Sequence, residues 1–215
     1  MDQMTNSLRA DLDEMARACR VLELEGQGDR VVGHMALHGE WPIHSEIMKA
    51  RPEINATSHT HPFYASVYSA SSEPLRTVVP RSTTQPVRPP RWEDSADLIG
   101  TVEMAQSMVA ALGGQNAVLL RNHGIVTCGA SIADPVLVAI ALEKMCREAL
   151  VINASGLTFD CPEEDELAKK LDSGAALDPA IIGGAVLWRY YCRKLTRAEA
   201  AGDPALATER VPVGG

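Results

Sequence analysis

The chain has 215 residues, 46% of them hydrophobic and 22% charged, and its net charge is −8. That length provides enough interior for one large domain to fold without staples. An acidic chain without a basic stripe does not suit a nucleic-acid partner, and no apolar run approaches the ~20 residues that span a bilayer, so neither nucleic acid nor membrane is expected as a partner.

The first residues, MDQMTNSLRADLDEM, are polar and acidic, unlike a signal or transit peptide. Cys19, Cys128, Cys146, Cys161 and Cys192 are odd in number and form no CxxC pair. Reduced thiols in a cytoplasmic protein are the expectation. Helical spacing of Leu8, Leu12, Met15, Ala16, Cys19 and Leu22 predicts a helix over 7–24. Arg30 to Leu37 reads as a strand, Pro42 to Ala50 as a short helix with proline in its first turn, and Ile54 to Thr60 as a second strand. Pro62 to Ala70 is helix-like. Thr77 to Pro90, with four prolines, is a loop or an edge strand leading into one.

Thr101 to Leu112 is an amphipathic helix stopped by Gly113 and Gly114. Two apolar strands, Ala117 to Leu120 and Ile125 to Cys128, flank the polar tetrad Arg121-Asn122-His123-Gly124. Ser131 to Asp134 has the form of a capping box, and the helix it opens runs to about Ala154. Val136 to Leu142 is apolar all round, which marks a stretch buried in the core or in a subunit contact. Further helices are expected from Pro162 and from Pro179 to about Ala200, then a loose tail. The order predicts a layered α/β domain over 1–200 with a helical C-terminal layer, and a flexible tail at 201–215.

His59 and His61 stand two apart at the end of a predicted strand, so they face the same side and can share one metal ion. The alternative is a pair of surface histidines. His123, in the polar tetrad, is a third candidate ligand, and Gly124 beside it allows close approach of the backbone. Three imidazoles are the ligand count of an open catalytic site, and with no thiolate nearby they suit Zn²⁺, with Mn²⁺, Fe²⁺ or Co²⁺ as other choices. Glu40 stands at a loop-to-helix junction, where a carboxylate serves as general acid/base, as a metal ligand displaced by substrate, or simply as a charge answering the helix dipole. His44, one helical turn on, is either a support for the centre or a structural histidine.

EWPIHSEIMKARPEINATSHTHPFYASVYSASSEPLR, followed by AVLLRNHGIVTCG, resembles the class II aldolase/adducin family over about residues 8 to 155, with weaker similarity through WRYYCRK. The resemblance implies a three-layer α/β/α class II aldolase-like fold with a central, mainly antiparallel sheet and C-terminal helices. It implies one divalent metal ion per subunit held by His59, His61 and His123, and Glu40 as the catalytic acid/base. It further implies a homo-oligomer, a tetramer with active sites at subunit interfaces. The adducin branch lacks the metal histidines, and all three stand here, which favours an enzyme.

Several departures narrow the reading. Sugar-phosphate members carry a Ser-Gly-Asn loop after the first strand, where this chain has Gly33-His34-Met35-Ala36-Leu37. Their later Thr-Gly segment is not found, and a stretch that relatives carry before the glutamate is shortened between residues 38 and 40. A His-Glu-Gly segment of some relatives is replaced by Val79 to Gln85. The pattern GxGDxxxGHxxL, with SSEPLR later, is most similar to decarboxylase-like members acting on hydroxylated aromatic or pyridine carboxylates. The expected function is therefore metal-dependent cleavage of a C–C bond in a small-molecule substrate. His34, Arg121, Tyr190 and Tyr191 are candidate substrate-binding residues, the tyrosines by reaching a neighbouring subunit's site. An aldolase or 4-epimerase acting on a sugar phosphate or a hydroxy-keto acid, and a non-catalytic metal-binding oligomeric module, are the alternatives.

Overall fold

The structure, a computed structural model, describes residues 2–27, 40–79, 88–163, 165–167, 169, 184–203 and 206. Its elements in chain order are α1 (Asp2–Leu24), α2 (Trp41–Ala50), β1 (Ala56–Thr60), α3 (Phe63–Tyr68), β2 (Arg91–Trp92), α4 (Val102–Leu112), β3 (Ala117–Leu120), β4 (Ile125–Gly129), α5 (Ala133–Ser155) and α6 (Gly184–Ala201). The strand predicted over 30–37, with His34, lies outside the described residues. So do the shortened stretch before Glu40 and most of the tail.

The strands form one sheet in the order β1-β4-β3-β2. β4 pairs antiparallel with both β1 and β3, while β2 runs parallel to β3. The mainly antiparallel sheet matches the expectation. Alternation along β3 divides the interior: Ala117 and Leu119 join one core, Val118 and Leu120 the other. The first core packs the sheet against α1, α3, α5 and α6, and the second packs it against α2 and α4. Helices thus cover both faces of the sheet, the three-layer arrangement.

Local chemistry explains most boundaries. Thr101 caps α4 by accepting from the Met104 N–H, and Gly113, at φ 55, ends the helix. The capping box before α5 forms only its return half: Asp134 Oδ2 accepts from the Ser131 N–H at 2.8 Å, and the helix starts without a side-chain cap from its N-cap residue Ile132. α5 stops at Gly156, which is left-handed. In α1 the buried stripe is Ala18, Val21 and Leu22, whereas Leu12, expected on that face, is 53% exposed. Among the described residues no helix is long and apolar enough to cross a membrane, and no disulfide joins the five cysteines.

Candidate metal centre

β1 and β4 run in opposite directions, so the C-terminal end of one meets the N-terminal end of the other, with Thr60 opposite Ile125 and His59 opposite Val126. His59 is the penultimate residue of β1, and His61 is the first residue beyond the strand. The β3–β4 turn brings His123 to the same end. Asn122 sits at φ 55 there, a left-handed conformation that asparagine tolerates better than most residues, and the turn closes through the His123 N–H to Leu120 O at 3.0 Å. The three rings form one cluster with centroids 4.5, 5.0 and 4.9 Å apart.

Gly124 permits this approach. A β-carbon there would lie 2.5 Å from Thr60 O and 2.6 Å from His61 Cδ2, closer than atoms pack. Gly124→Ala is therefore expected to destabilise the fold by about 1–3 kcal/mol, the range for overpacking, and to weaken metal binding. Thermal unfolding with and without added Zn²⁺ checks both effects. An unchanged melting temperature would mean that the turn has room to move.

Glu40 completes the cluster from the N-cap position of α2. Its side chain does not cap that helix but turns towards the histidines. Oε1 accepts from the Ile99 N–H at 3.0 Å, and Oε2 lies 3.1 Å from His59 Nε2. One ligand atom from each of Glu40, His59, His61 and His123 can be chosen so that all four lie within 4.8 Å of one another.

Hydrogen bonding tests whether this donor set fits a cation. His59 Nδ1 lies 2.9 Å from the Ile125 carbonyl, which can only accept, so the ring proton resides on Nδ1. Neutral His59 then presents a lone pair at Nε2, facing the Glu40 carboxylate. Two acceptors at that separation repel unless a proton or a cation lies between them. His59 Nε2 and His123 Nδ1 are buried without a hydrogen-bond partner among the described residues. A fixed tautomer, converging lone pairs and one carboxylate fit a divalent ion with imidazole preference.

The electrostatics agree. Burial pushes the Glu40 carboxyl up, but its contact with His59, the electrostatic pull of that ring, the Ile99 N–H and His123 outweigh it and bring it down to about 2. Burial, and then the neighbouring His59 and His61 rings, lower His123 to about 4, which Glu40 only partly offsets. At neutral pH the carboxylate is ionised and His123 is neutral, the forms that bind metal.

A sign follows for the metal-free protein. Between pH 6.5 and about 4 the unfolded chain takes up a proton that folded His123 refuses. Stability therefore falls across that window, by about 3 kcal/mol at ~1.4 kcal/mol per pH unit. Glu40 extends the loss from 4.5 down to about 2, because the unfolded carboxyl protonates first. Urea denaturation of the metal-free protein at pH 7 and pH 4 reads this out. Equal stability at the two would show that His123 is not held neutral.

Among the described residues, the other expected site residues, Arg121, Tyr190 and Tyr191, stand outside the four-residue cluster. Arg121 lies in the same turn as His123. Its backbone N–H bonds Trp92 O at 3.0 Å, and its Nε is buried with no hydrogen-bond partner among the described residues. Tyr191 is buried and its hydroxyl accepts from Lys144 Nζ at 3.0 Å, while Tyr190 is 51% exposed. His44 Nδ1 lies 2.5 Å from Thr57 Oγ1 and so ties α2 to β1 two residues before His59. Sequence reasoning missed the Ile99 N–H, because a backbone donor carries no residue signature.

A layered α/β domain with a carboxylate and three imidazoles at one end of its sheet has clear relatives. Residues 4–150 match the class II aldolase and adducin N-terminal domain, and the chain belongs to that family. It is 27% identical over 189 residues to a 3,4-dihydroxyphthalate decarboxylase of Arthrobacter keyseri, covering 83% of this chain and 73% of the relative. A protein of the same name from Terrabacter sp. (strain DBF63) is 31% identical over 157 residues, covering 70% of this chain and 63% of the relative. Against several such relatives the chain spans less than two thirds of their length. The fold is similar to that of an L-fuculose 1-phosphate aldolase from Glaciozyma antarctica PI12, with TM-score 0.72, 21% identity and 94% of each chain covered.

Proposed function

We propose that the protein is a divalent-metal-dependent lyase that decarboxylates a hydroxylated aromatic or heteroaromatic carboxylate. The observation that carries this reading is the convergence of Glu40, His59, His61 and His123 within one small volume. The decarboxylase relatives favour this substrate class over sugar phosphates. His59, His61 and His123 would hold the ion, zinc by preference for three imidazoles without thiolate. Bound there, the ion supplies positive charge that stabilises electron density released onto the substrate as the C–C bond breaks.

The protein's own residues do the rest. Glu40, ionised at rest, accepts the proton of the substrate's ring hydroxyl. As CO2 departs, the electron pair of the broken bond stays with the ring carbon, and Glu40 returns the proton to that carbon. The hydroxyl regains its proton from solvent. Arg121, whose buried Nε has no partner among the described residues, is the proposed contact for the departing carboxylate, and His34 a second. Of the two tyrosines, Tyr190 is the one exposed enough to reach the site of a second copy in a homotetramer. We read residues 1–200 as one domain of a cytoplasmic enzyme.

Purified, metal-loaded protein is expected to release CO2 from ortho-hydroxylated benzoates or pyridine carboxylates, to stop on chelation, and to recover with Zn²⁺ or Mn²⁺. Aldehyde release from sugar phosphates instead would move the substrate class to aldols. Metal binding with neither product would leave a non-catalytic module.

A further inference from the structure

α3 begins two residues after His61, and its N-cap position is held by Pro62. That proline constrains His61 to an extended backbone, the conformation that keeps His59 and His61 on one side. It also forfeits the cap, because proline has no side-chain acceptor for the N–H groups of the first turn. Those donors are satisfied from far along the chain. Glu143 of α5 reaches across, Oε1 accepting from the Tyr64 N–H at 3.0 Å and Oε2 from the Ala65 N–H at 2.7 Å. One helical turn on, the Arg147 guanidinium lies over the Tyr64 ring, 5.5 Å from its centroid.

The arrangement is costly for a mere helix cap. Burial pushes the Glu143 carboxyl up, and the two N–H groups and Arg147 pull it back only in part. α3 has just six residues. The fixed partner is α5, whose neighbours Leu142, Met145 and Cys146 are all buried in the main core. Glu143 therefore ties the chain immediately after His61 to the most deeply packed helix, while Gly124 confines His61 from the other side.

We propose that Glu143 is a positioning residue for the metal centre, acting through α3 and Pro62 to fix His61. The proposal rests on the metal-site reading above. Glu143→Ala is expected to lower Zn²⁺ affinity about 10–100-fold, as loss of an outer support does at metal sites. It should also alter the visible spectrum of Co²⁺-saturated protein. Glu143→Gln keeps one carbonyl acceptor and should restore part of the affinity, and it serves as the test if the alanine variant does not fold. Leu195→Ala, in the buried face of α6, is the control for general destabilisation and should leave the cobalt spectrum unchanged. Wild-type affinity and spectrum in both Glu143 variants would overturn the proposal alone. Wild-type protein that binds no ion would overturn the metal-site reading, and the proposal with it.

Discussion

His61→Ala is expected to remove stoichiometric metal and with it all turnover. The ring is one corner of a near-equilateral triangle, 4.5 Å from His59 and 4.9 Å from His123, with those two 5.0 Å apart, so its loss opens one side of the cluster. The backbone cannot relax to compensate, because Gly124 already sits against Thr60 and His61. Losing an outer-shell partner costs about 10–100-fold in metal affinity, and losing a ligand should exceed that. Metal analysis after dialysis, alongside titration with Zn²⁺, measures the effect. The fold should survive, since His61 belongs to neither hydrophobic core. A variant that kept one tightly bound ion per chain would remove His61 from the ligand set.

Glu40→Gln is the second large effect, and its signature differs. An amide keeps the size of the side chain and an oxygen to accept from the Ile99 N–H, but it neither carries charge nor takes up a proton. A positioned acid/base contributes roughly 10²–10⁴-fold, so kcat should fall by that factor. Metal should remain bound, because three imidazoles suffice for an open site. Steady-state kinetics on metal-saturated protein would show the fall, and metal analysis would show the retained ion. Loss of the ion instead of the rate would make Glu40 principally a ligand. Together the two substitutions separate holding the metal from moving the proton.

The candidate ligand set was legible in the chain because its signals are local. Residues two apart on a strand share a side, and a polar tetrad between two apolar strands marks an exposed turn end, so His59, His61 and His123 were found before any geometry. The parts that hold them were not legible. β2 is two residues long, and its pairing with β3 has no periodicity to read. The Ile99 N–H that anchors Glu40 lies 59 residues away. Glu143 left a weak trace, as a carboxylate closing the apolar run of α5, but its partners are backbone groups 78 and 79 residues upstream. The buried face of α1 was displaced because helical spacing defines a stripe without saying which turns find a neighbour. Leu12 keeps the period and stays in solvent.

The pairing of β1 with β4 has a consequence for how such a chain can change over time. His59 opposite Val126 and Thr60 opposite Ile125 make the alignment of two strands the ruler of the centre. Inserting one residue inside β1 would turn His59 to the opposite side of the sheet. Inserting two would keep the side but slide the ring along by about 7 Å. Length variation can therefore accumulate in the connections, while the two strands that measure out the histidines must keep their count.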